Sequence, residues 1–175
     1  DGTPSDCVVA GLESLVPETD LVVAGCNRGA NLGAYVLGRS GTVSAAVEAT
    51  FFDVPAMAVS MYIPVREDTD FTAIDDGDLR YDEAVRATRY LAEHGLEAGV
   101  FDQCDYLNVN APVADWGPAP LEVTRPSLEY EMTAERNGDA VTLHDRIWER
   151  MADGDIPDPE GTDRRAVVEG HVSVS

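Results

Sequence analysis

The residues best suited to chemistry lie in a segment rich in glycine and asparagine, Gly25 to Gly33 (the asparagine segment). Its two asparagines, Asn27 and Asn31, could offer a neutral carbonyl oxygen to a hard cation or an amide N–H to a phosphate. Its glycines would let the backbone approach a ligand closely. The composition therefore predicts a ligand-binding loop, although in about half of α/β domains such a loop only forms turns and caps.

A second group of residues, Ser40, Gly41 and Thr42, suits an anion. These residues precede a run of small side chains, Val43 to Ala49, that indicates a helix able to pack closely on a sheet. Free N–H groups and the dipole at a helix N-terminus favour a phosphate. Two elements suited to a metal ion and to a phosphate thus lie thirteen residues apart.

Three short apolar runs predict the strands that position these residues, at 21–24, 55–62 and 106–110. Continuous apolar runs of this length are typical of strands buried on both faces of a parallel sheet. Segments with helical spacing of apolar residues alternate with them, which indicates βαβ units and a mostly parallel α/β fold. Ligands of such sheets bind beyond the carboxyl ends of the strands, and the asparagine segment directly follows the first run.

The last third of the chain has a different pattern. Apolar and polar residues alternate from Leu128 to Glu135, and Asn137-Gly138 is a strong hairpin signal. The stretch from Val167 to Val174 also has the composition of a strand. Because parallel α/β domains usually begin with a strand and this chain begins with a predicted helix, we expect an N-terminal strand to be missing.

The charge of the chain restricts its partners and its solvent. There are 33 acidic and 12 basic side chains, the net charge is −21, and no residue is lysine. A phosphate backbone is bound by basic surfaces, so we expect no nucleic-acid polymer as a partner. Self-repulsion weakens in concentrated salt, where the Debye length is about 3 Å at 1 M, so the composition favours a halophilic protein over an ordinary acidic one. No apolar run reaches the roughly 18 residues of a membrane span and no secretory signal is visible, so we expect a cytoplasmic protein without a membrane partner.

Several motifs together resemble the SurE family of metal-dependent nucleotide phosphatases. They are LVVAGCNRGANLG at 21–33, SGTVSAA at 40–46 and VPAMAVS at 54–60, followed in the family's order by NVNAP at 108–112, GTD at 161–163 and GHVSV at 170–174. The resemblance implies a Rossmann-like, three-layer α/β/α core in residues 1–126. Residues 127–175 would then form a hairpin and C-terminal oligomerisation arm that builds homodimers or homotetramers. The implied activity is that of a 5′-nucleotidase, which hydrolyses nucleoside 5′- and 3′-monophosphates with bound Mg²⁺ or Mn²⁺.

The resemblance also implies roles for single residues. Asn27 matches the family's metal-ligand asparagine, Asn31 matches a second asparagine expected to face the phosphate, and Ser40, Gly41 and Thr42 match the segment that lines the phosphate pocket. The family's paired aspartates and its metal-ligand serine have no counterpart, since the one Asp-Asp pair, Asp75-Asp76, lies in an acidic stretch that does not match. The catalytic residues therefore stay unassigned.

We expect that about the first third of the family's length is missing from these 175 residues. The alternative is that the chain is complete as it stands. It would then be a non-catalytic module that binds phosphate or a nucleotide and oligomerises.

Overall fold

The computed structural model describes residues 2–64, 80–113 and 118–175, so Asp75-Asp76 lies outside the described residues. The strands are β1 (Val22–Arg28), β2 (Ala56–Tyr62), β3 (Tyr106–Pro112), β4 (Leu121–Val123), β5 (Met132–Asn137), β6 (Ala140–Asp145) and β7 (Val172–Val174). The α-helices are α1 (Pro4–Ala10), α2 (Ala34–Leu37), α3 (Gly41–Thr50), α4 (Asp82–Gly95), α5 (Ile147–Asp153) and α6 (Asp163–Val168). A π-helical turn at Gly11–Leu15 follows α1, and a 3₁₀ turn at Val100–Asp102 precedes β3.

Five strands form the central sheet in the order β1-β2-β3-β7-β4. Strands β1, β2 and β3 are parallel, and β7 is antiparallel to β3 but parallel to β4. The mostly parallel α/β sheet predicted from the sequence is therefore confirmed. Within the described sheet, β1 is an edge strand, and Val23 on it is 43% exposed.

Side chains of β2 alternate between two covered faces, which explains why the whole strand is buried. Met57 and Val59 pack in a cluster with Ala84 and Ala87 of α4. On the other face, small side chains of β2 pack against α3 and the π-helical turn, in a cluster of Leu12, Val43, Ala46, Ala49, Ala56 and Ala58. The result is a three-layer α/β/α arrangement with small residues where α3 meets the sheet.

The C-terminal part of the chain contributes to this core as well as to a hairpin. Strands β5 and β6 pair antiparallel through Asn137 and Ala140, so the predicted hairpin is confirmed. Strand β7 belongs to residues 127–175, which were expected to form a hairpin and an arm. In the structure it lies in the central sheet, between β3 and β4. The predicted strand from Val167 to Val174 is wrong in its first part, because α6 continues to Val168 and Gly170 turns the chain at a positive φ of 83°.

Among the described residues, no helix is long and apolar enough to cross a membrane.

Candidate functional site

A row of four polar residues crosses the sheet near the carboxyl ends of the parallel strands. Asn27 of β1 pairs with Ser60 of β2, Ser60 with Asn110 of β3, and Asn110 with Ser173 of β7. Ser60, Asn110 and Ser173 have no exposed surface. Such a row in an otherwise apolar core needs hydrogen-bond partners, because an unpaired buried polar group costs about 1–3 kcal/mol.

An irregularity in β1 places Asn27 in this row. The register with β2 shifts between Ala24 and Asn27, so β1 carries one more residue than β2 over this stretch. Without that bulge the partner of Ser60 would be Cys26, and a slip of one residue turns each side chain to the other face. Gly25 permits the bulge, because it has a φ of 121° and a Cβ there would overlap the carbonyl oxygen of Val59.

Asn27 therefore lies at the end of a strand and not in a loop, as the sequence had suggested. Its side-chain nitrogen donates to the carbonyl oxygen of Gly29 at 2.5 Å. The side chain's carbonyl oxygen is its remaining polar atom, and an amide oxygen of this kind is a neutral ligand for a hard cation.

Asn31 is the centre of a buried hydrogen-bond network. Its backbone N–H donates to Oδ1 of Asn110 at 2.8 Å, and its side-chain nitrogen donates to Oγ of Ser60 at 2.7 Å. Its carbonyl oxygen accepts from Nδ2 of Asn110 at 3.1 Å and from Nδ2 of Asn108 at 3.0 Å. Asn31 is 5% exposed, so these contacts fix both its backbone and its side chain.

Three further residues belong to this site although no role was predicted for them: Ser60, Asn108 and Asn110. The available signal was their polarity within the apolar runs AMAVSMY and YLNVNAP. A polar residue in a buried strand is satisfied by a partner. Here that partner lies 77 to 79 residues away for the two strand asparagines.

Helix α3 begins at the same edge of the sheet. It connects two parallel strands, β1 and β2, and packs on both, so its N-terminus lies at their carboxyl ends. Ser40 is the N-cap residue, and its Oγ accepts from the N–H of Val43 at 3.1 Å. The Ser40 hydroxyl still has its own hydrogen to donate, and the N–H groups of Gly41 and Thr42 have no partner inside the helix.

The polar row and the N-terminus of α3 offer neutral donors and acceptors at the carboxyl ends of the strands. The described residues contain no group of three or more His, Cys, Asp or Glu side chains that could hold a metal ion. Mg²⁺ normally takes one or two carboxylates together with water, so Asn27 and its neighbours do not fit a complete site for it. The arrangement supplies one neutral oxygen ligand and a preorganised set of N–H and O–H donors.

Comparisons with known proteins show what the chain is similar to. The family model described as Survival protein SurE matches residues 1–133. A relative named 5′-nucleotidase SurE, from Haloarcula marismortui, is 79% identical over 175 residues, which cover 100% of this chain and 65% of the relative. One of the same name from Geotalea daltonii is 39% identical over 184 residues and is covered to 66% of its length. Relatives of that name from Haloquadratum walsbyi and Halobacterium salinarum also match, and these sources suggest a halophilic origin.

A solved structure of a SurE protein from Aquifex aeolicus has the same fold, with a TM-score of 0.69 and 29% sequence identity. The match covers 99% of this chain and 66% of that one. The chain thus spans about two thirds of the length of the proteins it matches, and less than two thirds of the Haloarcula relative.

Proposed function

This chain belongs to the SurE family, and we propose that it carries the phosphate-binding part of a metal-dependent phosphatase acting on nucleoside 5′-monophosphates, and also on 3′-monophosphates. The observation that supports this most is the polar row from Asn27 to Asn110, which meets the N-terminus of α3 at one edge of the sheet. Relatives named 5′-nucleotidase SurE support the nucleotide as substrate.

On this proposal the phosphate is held by the second side-chain N–H of Asn31 (the first donates to Ser60), by the Ser40 hydroxyl and by the N–H groups of Gly41 and Thr42. Phosphoryl transfer needs positioning and charge stabilisation more than covalent chemistry from the protein. Donors that are fixed before the substrate arrives need no reorganisation during the reaction, and the hydrogen bonds of Asn31 and the cap at Ser40 supply that rigidity.

We propose that Asn27 contributes one neutral ligand to Mg²⁺ or Mn²⁺, and that carboxylates outside these 175 residues complete the site. The cation would supply positive charge next to the phosphate, which a chain with a net charge of −21 otherwise repels at long range. The nucleophile is assigned to no residue of this chain. The rival function is a phosphate-binding module without catalysis, and it is favoured because the described residues contain no group of three or more His, Cys, Asp or Glu side chains that could hold a metal ion.

We further propose a cytoplasmic homodimer or homotetramer assembled through the β5–β6 hairpin. Val141 and Leu143 on β6 are 62% and 65% exposed, and an isolated two-stranded hairpin is marginally stable in water. A hairpin with exposed apolar side chains gains stability when a second subunit covers those side chains.

Phosphate release tests the proposed activity. The assay uses a polypeptide that is as long as the relatives and contains these 175 residues (the full-length protein). Release is measured in molar KCl with Mn²⁺ or Mg²⁺. We expect the full-length protein to hydrolyse nucleoside monophosphates and to lose this activity in EDTA, while residues 1–175 alone release no phosphate. Release that is unaffected by EDTA would contradict the metal-dependent mechanism, and no release from any nucleotide would favour the non-catalytic module.

A further inference from the structure

A buried carboxylate, Asp163, joins three segments directly behind the site. Oδ2 of Asp163 accepts from the N–H of Gly33 at 2.7 Å. Oδ1 accepts from the N–H of Ser127 at 2.9 Å and from the N–H of Arg164 at 2.8 Å. Asp163 has no exposed surface, so it connects the end of the asparagine segment, the chain before the hairpin and the start of α6 inside the core.

The surrounding contacts confine Gly33 further. The N–H of Ala34 donates to the carbonyl oxygen of Ser127 at 2.8 Å, which ties the two segments a second time. The guanidinium of Arg164 packs against Gly33 so closely that a Cβ there would overlap it. Gly33 has a φ of 84°, so both its space and its backbone conformation restrict the position to glycine.

Gly33 lies two residues after Asn31, and Asn110 holds Asn31 from the sheet side. The stretch from Asn31 to Gly33 is thus fixed at two points, one on β3 and one on α6. A displacement of about 1 Å at a reacting centre can cost about 100-fold in rate, so such fixed points matter for a binding loop.

The chemistry of the junction requires an aspartate. All three partners of Asp163 are N–H donors, and a carboxylate only accepts hydrogen bonds. Burial raises the pKa of the Asp163 carboxyl, and these three hydrogen bonds act in the opposite direction by favouring the ionised form. An asparagine could keep its oxygen toward Ser127 and Arg164, but would then turn an NH₂ group toward the N–H of Gly33. Asp163→Asn therefore removes the acceptor for the N–H of Gly33 and the negative charge that faces the Arg164 side chain, while it keeps an oxygen for the N–H groups of Ser127 and Arg164.

We propose that Asp163 is a positioning residue for phosphate binding: it fixes Gly33 and thereby Asn31 without touching the substrate, an inference that rests on the proposed phosphate contact of Asn31. Ser127, in the chain before the hairpin, donates to the same carboxylate, so Asp163 contacts both the segment that leads to the hairpin and the asparagine segment.

Inorganic phosphate is the probe that tests this role. In the full-length protein, Asp163→Asn should raise the Kd of inorganic phosphate and the KM for a nucleoside monophosphate together, by about tenfold or more, with a smaller change in kcat. A purely structural role would lower kcat through loss of folded protein and leave both constants unchanged.

Glu83→Gln is the matched control. Glu83 is also a buried carboxylate that accepts from a backbone N–H, that of Ala119 at 3.0 Å, and from the guanidinium of Arg86. Glu83 lies on α4. We expect the Glu83→Gln variant to have a changed stability and an unchanged Kd for phosphate. Equal weakening of phosphate binding in both variants, or an unchanged Kd in Asp163→Asn, would overturn the proposal.

A second measurement covers the case in which Asp163→Asn does not fold. Hydrogen exchange of the Gly33 amide in the unsubstituted protein should slow further when phosphate is bound; unchanged exchange at saturating phosphate would overturn the proposal.

A protein that binds phosphate but hydrolyses no nucleotide would contradict the proposed catalysis alone, and the phosphate affinities would still decide the role of Asp163. Absence of phosphate binding would contradict both.

Discussion

Asn27 lies opposite Ser60 because β1 carries one extra residue between Ala24 and Asn27. The bulge changes which side chain of β1 joins the polar row, and it depends on a glycine at position 25. The bulge in the backbone of β1 thus decides which side chain lies opposite Ser60 near the carboxyl ends of the strands.

Gly25→Ala should destabilise the fold more than Gly29→Ala. Both glycines have a φ near 120°, 121° at Gly25 and 123° at Gly29, so both variants carry the strain of that conformation, about 1–3 kcal/mol. A Cβ at Gly29 meets no atom within 4 Å, whereas one at Gly25 overlaps the Val59 carbonyl, which should add about 1–3 kcal/mol. Denaturant unfolding in molar KCl measures the difference, and equal losses would contradict the proposed steric demand.

Asn110→Ala should cost more stability than Asn108→Ala. Asn110 serves both the N–H and the carbonyl oxygen of Asn31, and its loss leaves the buried N–H unpaired, at about 1–3 kcal/mol. At Asn31, Asn108 serves the carbonyl oxygen alone, which keeps its bond to Asn110, and the other contact of the Asn108 side chain is a 3.4 Å bond to Oγ of Ser175. The free energies of unfolding of the two variants give the comparison, and a larger loss in Asn108→Ala would show that the network is organised differently.

Asn27→Ala should lower turnover of the full-length protein far more than His94→Ala. The first substitution removes the proposed metal ligand, and losing one preorganised polar contact at a reacting centre costs about 100-fold. His94 lies in the last turn of α4, away from the polar row. Initial rates of phosphate release at saturating nucleotide provide the measurement, and similar losses in both variants would speak against the site.

The melting temperature of the full-length protein should rise steeply with KCl. Residues 1–175 carry a net charge of −21, and salt screens the repulsion among these charges. A gain of about 3 kcal/mol would raise the midpoint by about 6–12 °C in a protein of about 150–250 residues, and by less in a longer one. Thermal melts from low to molar KCl test this, and a flat profile would refute the need for salt.

Replacing Val141 and Leu143 by serine should shift the protein toward monomer. The two side chains lie two residues apart on β6, hence on the same face of the hairpin, and both are largely exposed. Thr142→Ala changes the opposite face and serves as the control. Light scattering gives the mass of each variant, and an unchanged oligomer in the double variant would exclude this face from the interface.

The sequence predicted much of the fold because local patterns determine it. Continuous apolar runs predicted β2 and β3, and Asn137-Gly138 predicted the hairpin. The helical start of the Val167–Val174 stretch was missed, since a short apolar run fits either a strand or a buried helix. Composition and family motifs predicted a ligand-binding role for the asparagine segment, and this role stays a prediction.

The partners of the asparagine segment could not be predicted in the same way. The bond between Asn31 and Asn110 spans 79 residues, and the bond between Gly33 and Asp163 spans 130. Such contacts depend on the order of the strands and on the position of α6, which no local pattern encodes. The bulge at Gly25 was hidden for the same reason, because it exists only relative to β2.

Strand β1, at the edge of the described sheet, has a consequence for handling residues 1–175 as a separate polypeptide. An edge strand presents a row of unpaired N–H and C=O groups that a second chain can extend, and Val23 leaves apolar surface beside that row. In dilute buffer the acidic surface keeps two such edges apart. Molar salt removes this repulsion, so the solvent expected to favour folding should also promote edge-to-edge association of the isolated polypeptide.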